Sequence, residues 1–275
     1  MSAAFSTVEI SNPDHTPPGV HFITVKSPAL RRRADISLFI PPGIKAGPLP
    51  LVTLLHGVYG SHWAWLFKAG AHEVLTLLIE HEGLTPMALA MPSDGLWGDG
   101  SGYLRHAEAD YRAWIVDEVP AAAALVDPNT LHSPQFLCGL SMGGYGALRI
   151  GALHAERYAA ISAHSSVTDA ADLQTFILEG SGPFDLAEDQ PLQAIACLKA
   201  NAHRLPPFRF DCGTEDALIG SNRRLHHELE RAGIPHAYQE FTGGHTWEYW
   251  RTHLADSLRF FSRVLNAPST SPSNS

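Results

Sequence analysis

Residues 137–147 read Leu-Cys-Gly-Leu-Ser-Met-Gly-Gly-Tyr-Gly-Ala, and the interpretation of the whole chain starts from this stretch. Within it, Gly139, Ser141 and Gly143 match the pattern G-x-S-x-G, which is typical of a sharp turn between a strand and a helix. Side chains two residues before or after the serine would clash in so tight a turn, so glycine is favoured at both positions. Ser141 is therefore predicted to be a nucleophile that accepts an acyl group.

The residues on both sides of this motif fit a strand and a helix. Residues 135–138 form a short apolar run of the kind found in buried strands. Residues 147–153 are mostly small or apolar, which suits a helix packed closely on a sheet. The structural alternative is a glycine-rich loop beside a core strand, and the candidate partners of Ser141 described below argue against it.

The composition indicates a folded protein with a large core. Apolar residues make up 45% of the 275 residues and charged residues 17%, which disfavours disorder and coiled coils. The formal charge of −9 disfavours nucleic-acid binding, which requires clustered basic residues. The basic run 31–33 is predicted to be a solvated turn between two strands.

Three features predict a cytoplasmic protein without membrane attachment. Residues 1–18 lack the charged segment and apolar stretch of a secretion signal. The chain contains no apolar stretch that approaches the length of a membrane span. Cys138, Cys197 and Cys212 are an odd number without the spacing of a metal pair, and they are predicted to be buried free thiols in a reducing compartment.

Predicted strands alternate with predicted helices, which indicates an α/β fold with a mostly parallel central sheet and helices on both faces. The first two strands are joined by a short link and are predicted to form an antiparallel edge. The predicted strands are 21–26, 34–40, 51–55, 86–91, 135–138, 158–163, 208–212 and 236–241. The predicted helices are 71–82, 110–126, the segment after Ser141, 221–232 and a last helix from Trp247. Pro120 is expected to kink or restart the second of these.

A single domain is predicted over residues 20–265. It lies between an N-terminal extension, 1–19, and a disordered tail, 266–275. Residues 167–206 lack a clear strand and are predicted to form a helical excursion over the active-site edge of the sheet.

The serine needs a base to accept its proton and an acid to orient that base. His245 is the best candidate base because it follows the last predicted strand, and two glycines before it allow a loop path that aims its imidazole at the serine. His226 and His227 lie in the middle of a predicted helix and are interpreted as surface residues. His203 and His236 lack supporting glycines.

The acid is expected in the loop that follows the strand ending at Cys212. Asp216 is the preferred candidate, and Asp211 and Glu215 are the alternatives. Asp211 is placed within the strand itself and would point to a face of the sheet. Asp216 could also cap the following helix, which is a common use of aspartate. Its position and the chain order serine, acid, histidine favour the catalytic role.

An oxyanion that develops on the substrate needs two backbone N–H donors. One is predicted to be Met142, directly after the nucleophile. The other is predicted to be Val58, in the loop that follows the strand ending at Leu55. His56 in the same loop precedes Ser141 in the chain, so it is interpreted as a residue that braces the loop.

A glycine-rich loop over residues 93–103 follows the end of another strand, and ligands collect at that edge of open α/β sheets. Trp97 and Tyr103 are therefore predicted to line the substrate pocket, together with Trp247 beside the candidate base. The alternative for Trp97 is that it only anchors the loop. No phosphate-binding or dinucleotide-binding pattern and no metal-ligand cluster is recognised, so neither a cofactor nor a metal is predicted.

Residues 54–57, 139–147, 212–216 and 244–247 together resemble the "Putative esterase" family of α/β-hydrolases. That family includes esterase D (S-formylglutathione hydrolase), short-chain tributyrin-type esterases, feruloyl and acetylxylan esterases, and the mycolyltransferases. The tributyrin-type branch is the most similar, because its histidine segment also runs into a tryptophan-rich stretch. The loop 57–60 does not match esterase D, which argues against S-formylglutathione as the substrate.

This resemblance implies an α/β-hydrolase fold, with Ser141, Asp216 and His245 as a triad and Val58 and Met142 as oxyanion donors. The expected function is a serine carboxylesterase for short-chain acyl esters, with a small-molecule ester as its partner. Two alternatives use the same triad: a thioesterase of the S-formylglutathione hydrolase type and an acyltransferase. A third alternative is a non-catalytic scaffold that binds a partner. The sequence leaves open whether the chain forms a homo-oligomer.

Overall fold

The computed structural model describes residues 5–45, 47–173, 176–178, 186 and 191–267 of the chain. Nine strands in this part of the chain form one sheet. They are β1 (Val8–Ile10), β2 (Val20–Ser27), β3 (Arg32–Phe39), β4 (Leu51–Leu55), β5 (Ala88–Pro92), β6 (Gln135–Leu140), β7 (Ala160–His164), β8 (Phe208–Gly213) and β9 (Ala237–Phe241). Their order across the sheet is β1-β2-β3-β5-β4-β6-β7-β8-β9.

The direction of the strands confirms the predicted sheet. Three pairings are antiparallel: β1 with β2, β2 with β3, and β3 with β5. From β5 through β4, β6, β7 and β8 to β9, every pairing is parallel. The carboxyl ends of these parallel strands therefore meet at one edge, where α/β sheets bind their ligands.

Helices connect the strands and cover both faces. They are α1 (Ala64–Phe67), α2 (Ala71–Glu82), α3 (Tyr111–Ala113), α4 (Val119–Ala123), α5 (Met142–Leu153), α6 (Ala170–Leu173), α7 (Ala194–Ala200), α8 (Ile219–Arg231) and α9 (Trp247–Asn266). Within the described ranges, no helix is at once long enough and apolar enough to cross a bilayer.

Pro120 restarts a helix, as predicted. A wider π-helical segment, Trp114–Glu118, separates α3 from α4, and Pro120 is the second residue of α4. Proline lacks an N–H and its ring crowds the carbonyl four residues earlier, which belongs to Val116. The guanidinium of Arg157 donates to that carbonyl at 3.0 Å, so the acceptor that proline leaves unused is satisfied.

Each face of the sheet has its own apolar core. Leu51 and Leu55 of β4 pack into the core formed with α3, α4, α5, α7 and α8. Val52 and Leu54 of the same strand pack into the core formed with α1, α2 and α9. Alternate residues of a strand point to opposite faces, so a strand covered on both sides has to be apolar throughout. The three cysteines are buried free thiols, as predicted.

Several predicted boundaries differ from the structure. The predicted extension 1–19 contains β1, which pairs with β2. Arg32 and Arg33 begin β3, so only Arg31, with a φ of 55°, lies in the predicted turn. The described part of the predicted excursion 167–206 contains α6 and α7. Parts of that excursion lie outside the described residues, and so does the predicted tail over residues 268–275. Residue 266, which was predicted to begin the tail, is the last residue of α9.

Candidate active site

Ser141 lies at the turn between β6 and α5, with a backbone conformation of φ 53° and ψ −118°. This strained conformation is uncommon for any residue but glycine. Close approach of the backbone explains the flanking glycines. A Cβ added at Gly139 would lie 2.1 Å from the carbonyl oxygen of Gly143, and one added at Gly143 would lie 2.2 Å from that of Leu55. The turn therefore excludes side chains at both positions.

We expect Gly143→Ala to destabilise the protein by about 1–3 kcal/mol, because the new methyl group meets backbone atoms that cannot rotate away. Gly220→Ala is the matched control, since Gly220 lies in α8 with its nearest atom at 3.6 Å, the guanidinium of Arg224. Alanine is favoured over glycine inside a helix, so this control should unfold at the same temperature as the wild type or higher. Equal melting temperatures for Gly143→Ala and the wild type would contradict the steric argument.

The loop between β9 and α9 holds His245. Gly243 in this loop has a φ of 135°, a conformation that side chains rarely adopt. Its carbonyl oxygen accepts a hydrogen bond from the N–H of Glu215 at 2.9 Å, which joins this loop to the loop after β8. The Thr246 hydroxyl then accepts from the N–H of Tyr249 at 3.3 Å and caps α9. His245 is thus held between the loop after β8 and the first turn of α9.

Ser141, His245 and Asp216 form one chain of hydrogen bonds. Nε2 of His245 lies 3.1 Å from Oγ of Ser141, and Nδ1 lies 2.8 Å from Oδ2 of Asp216. Because the carboxylate can only accept, Nδ1 carries the proton and Nε2 presents its lone pair to the serine hydroxyl. The side chain of Asp216 is fully buried and that of His245 is 32% exposed, so this series of hydrogen bonds begins in the interior and reaches the surface at His245.

The environment of Asp216 keeps its carboxylate ionised. Burial alone would raise the pKa of this group. The hydrogen bonds from His245 and from the N–H of Leu218, the latter at 2.8 Å, outweigh burial, so the pKa lies below its ordinary value. Of the two alternative acids, Glu215 is exposed and Asp211 bonds to a different histidine, His164. The geometry therefore selects Asp216 as the partner of His245.

The two predicted oxyanion donors lie next to the serine. Met142 is the first residue of α5, so its N–H has no acceptor within the helix. Val58 lines the same cleft as Ser141. Gly57 brings this loop close, because a Cβ added there would lie 3.2 Å from the Cβ of Ser141.

His56 braces the loop after β4, as predicted. It is 2% exposed, and its Nδ1 lies 2.6 Å from the carbonyl oxygen of Gly57. Nε2 accepts a hydrogen bond from the N–H of Asp94 at 3.0 Å, which fixes the proton on Nδ1. The hydroxyl of Tyr103 donates to the backbone carbonyl of His56 at 3.0 Å. His56 therefore connects the loop after β4 to the loop after β5.

A cleft of about 280 Å³ opens at Ser141 and His245. Five aromatic residues line it: Tyr59, Trp63, Phe176, Trp247 and Trp250. The ring of Trp250 meets the imidazole of His245 edge-on, with centroids 4.8 Å apart. Lys68 also lines the cleft, with its ammonium 5.2 Å from the centre of a Trp247 ring.

The structure places Trp247 in this cleft, but not Trp97 or Tyr103. Tyr103 is fully buried beneath the loop, where its hydroxyl bonds to His56. Trp97 packs edge-on against His106, with ring centroids 4.8 Å apart, outside the set of residues that line the cleft. The buried position of Tyr103 does not agree with its predicted place in the pocket wall, and Trp97 is not among the residues that line this cleft.

Sequence reasoning missed Trp63, Trp250 and Lys68. Trp250 could have been found, because it follows Trp247 by three residues and so lies on the same side of α9. Trp63 lies in the turn before α1, and Lys68 directly follows α1. No periodicity in the sequence marks either position.

The sequence model of the "Putative esterase" family matches residues 27–261. The chain belongs to this family. It is 28% identical to an acetyl esterase of Caldicellulosiruptor saccharolyticus over 235 residues, which cover 78% of this chain and 84% of the relative. It is 23% identical to S-formylglutathione hydrolase of Bos taurus, over 86% of this chain and 91% of that protein. The chain is therefore a hydrolase that acts on ester bonds.

A solved structure supports the same fold. Fluorophosphonate-binding serine hydrolase F of Staphylococcus aureus superimposes with a TM-score of 0.74 at 20% identity, over 90% of this chain and 99% of that one. At this identity the likeness shows the α/β-hydrolase fold, in agreement with the sheet described above.

Proposed function

We propose that this esterase is a carboxylesterase that hydrolyses short-chain acyl esters through an acyl-enzyme on Ser141. The observation that carries the proposal is the continuous chain of hydrogen bonds from Asp216 through His245 to Ser141, with lengths of 2.8 and 3.1 Å. Asp216 is ionised and buried, so it can stabilise the positive charge that His245 acquires when it accepts a proton. The buried free thiols support a cytoplasmic location as part of this proposal.

In the acylation step, Oγ of Ser141 attacks the ester carbonyl carbon while Nε2 of His245 takes the hydroxyl proton. The resulting oxyanion accepts hydrogen bonds from the N–H groups of Val58 and Met142. When the tetrahedral intermediate collapses, the bond to the alkoxy oxygen breaks and His245 returns its proton to the leaving alcohol. Water, deprotonated by the same imidazole, then releases the acid and restores Ser141.

The cleft supports a small acyl group. Its volume of about 280 Å³ lies at the lower end for small-molecule sites, and the rigid rings of five aromatic residues line it. The likeness to an acetyl esterase points the same way. The departure of the loop 57–60 from esterase D argues against the thioesterase alternative.

We expect a fluorophosphonate probe to label the protein at Ser141, and activity on p-nitrophenyl esters to fall as the acyl chain lengthens from acetate to octanoate. Peptide mass spectrometry locates the label, and kcat/KM for each ester gives the chain-length profile. Ser6→Ala, which removes an exposed serine, is the control and should label like the wild type. Without labelling of Ser141, the non-catalytic scaffold would be favoured. Adding a short alcohol tests the acyltransferase alternative, which predicts that the new ester forms in preference to the acid.

A further inference from the structure

Away from the cleft, His226, His227 and Glu230 form a cluster on the solvent side of α8. Each offers one ligand atom, and these atoms lie within 4.8 Å of one another. Successive helical residues are rotated by about 100°, so Glu230 lies about 40° from His226 around the helix axis, between the two histidines. One carboxylate can therefore face both imidazoles, and Glu230 does so, at 3.5 Å from Nε2 of His226 and 3.2 Å from Nδ1 of His227.

A neighbouring histidine fixes where the proton of His226 lies. Nδ1 of His236 lies 2.8 Å from the carbonyl oxygen of Ile234, which can only accept, so Nδ1 of His236 carries a proton. In a neutral His236, Nε2 is then an acceptor, and it lies 2.8 Å from Nδ1 of His226. His226 must therefore donate from Nδ1. A neutral His226 is left with its lone pair on Nε2, and this atom faces the carboxylate of Glu230.

A lone pair facing a carboxylate oxygen at 3.5 Å is repulsive unless a cation lies between them. Nε2 of His226 and the carboxylate of Glu230 are therefore placed to bind one cation between them.

We propose that His226, His227 and Glu230 form a binding site for a divalent transition-metal ion such as Zn²⁺. Two imidazole nitrogens and a carboxylate oxygen are the ligands that this class of ion takes in proteins, with water completing the coordination shell. His227 is 69% exposed, so its Nδ1 can bind the ion while its Nε2–H faces solvent.

His236 is the positioning residue of this site. Ligand histidines usually donate their second N–H to a neighbouring acceptor, which fixes the ring and its tautomer. His236 supplies that acceptor for His226, and its own ring is stacked on Phe208 and Phe210, with centroids 5.8 and 5.7 Å away. The hydrogen bonds from His236 to Ile234 and to His226 thus hold one ligand in place before the ion arrives.

The sequence did not predict this site, because adjacent histidines in a helix do not have a recognised metal-ligand spacing. The deciding partner, His236, lies outside the helix, just before β9. None of the three ligands lines the cleft at Ser141, so the site is independent of the proposed esterase mechanism.

The test is calorimetric titration of the full-length protein, free of any purification tag, with ZnCl₂ at pH 7.5. We expect one saturable site per chain and a melting temperature that rises with zinc and returns to its original value with EDTA. His226→Gln and Glu230→Gln should each weaken zinc binding by at least about tenfold, and His236→Phe by about 10- to 100-fold. Binding should also weaken at pH 6, where protons compete for the imidazoles.

His132→Gln is the control, because His132 is exposed and lies outside the cluster. All variants should retain wild-type esterase activity without zinc, which shows that they are folded. His236→Phe tests orientation by itself, since it keeps the aromatic packing and leaves all three ligands in place. The proposal fails if zinc does not bind at millimolar concentration, or if it binds equally well to wild type, His226→Gln and Glu230→Gln.

Discussion

Ser141→Ala is expected to lower kcat for p-nitrophenyl acetate about 10³-fold or more, with little change in KM. The substitution removes the only atom that can form the acyl-enzyme in the proposed mechanism and leaves the walls of the cleft in place. His245→Ala should cause a loss of similar size, because Nε2 of His245, 3.1 Å from the serine hydroxyl, is the acceptor for its proton. Steady-state kinetics, corrected for spontaneous hydrolysis of the ester, measures both effects.

The double variant distinguishes a triad from two independent contributions. If Ser141 and His245 act as one unit, Ser141→Ala combined with His245→Ala is no slower than either single variant. If they act independently, the two losses multiply to about 10⁶-fold. His132→Ala controls for removal of an exposed imidazole and should keep wild-type kcat. Undiminished turnover by Ser141→Ala would exclude Ser141 as the nucleophile.

The parts of the site that could be predicted from the sequence are those fixed by local geometry and chain order. A Cβ added at Gly139 or Gly143 would lie 2.1 or 2.2 Å from a backbone oxygen, so glycine at these two positions marks the turn at Ser141 in any sequence that forms it. Gly243 similarly marks the loop of His245. Asp216 follows from the parallel order of β8 and β9, because the loops after adjacent parallel strands meet at one edge.

The loop 93–103 shows why Tyr103 does not line the cleft at Ser141. Its glycines suggested an open, exposed loop, but the carboxylate of Asp94 accepts hydrogen bonds from the N–H groups of Leu96 and Ser101, at 2.9 and 2.7 Å. The loop therefore folds back on itself, and Tyr103, with a φ of 54°, points inward. Which side chain such a loop buries depends on these contacts with its neighbours, and periodicity in the sequence does not encode them.

A second histidine–carboxylate pair, His164 with Asp211, lies beneath the active site. It could not be predicted, because it depends on the register between two strands. His164 ends β7 and is the register partner of Asp211 in β8. Both side chains are fully buried, and Nδ1 of His164 lies 2.9 Å from Oδ2 of Asp211. The guanidinium of Arg209 lies 2.9 Å from the same oxygen, and the hydroxyl of Tyr249 donates to Oδ1 at 2.9 Å.

This network ties α9 to the sheet. Tyr249 is in the first turn of α9, and Ser257, further along the helix, lies 2.8 Å from Nε2 of His164. Burial opposes charge on both members of the pair. For His164 the carboxylate of Asp211 outweighs burial and raises the pKa to about 9. For Asp211, His164 and Arg209 outweigh burial and lower the pKa. The pair is therefore ionised near neutral pH.

We expect Asp211→Asn to lower the free energy of unfolding by about 3–5 kcal/mol near pH 6, since it leaves buried cationic groups without their counter-charge. Urea unfolding measures the change. Glu82→Gln is the matched control, because it breaks the ion pair of Glu82 with Arg259, which has a similar length of 2.7 Å but lies at the surface. An exposed pair is screened by solvent, so this control should unfold at nearly the wild-type urea concentration.

The pH dependence of this loss tests whether His164 is charged. A histidine whose pKa is raised on folding from 6.5 to about 9 stabilises the protein fully below pH 6.5, and this contribution disappears as the pH rises through 9. Asp211, whose pKa is lowered from 3.8, contributes above pH 3.8 and loses its effect in more acidic solution. The difference between wild type and Asp211→Asn should therefore be largest between about pH 4 and 6.5 and should shrink towards pH 9. A difference that stays constant from pH 5 to pH 10 would mean that His164 is neutral, and the network would then be held by Arg209 and by hydrogen bonds alone.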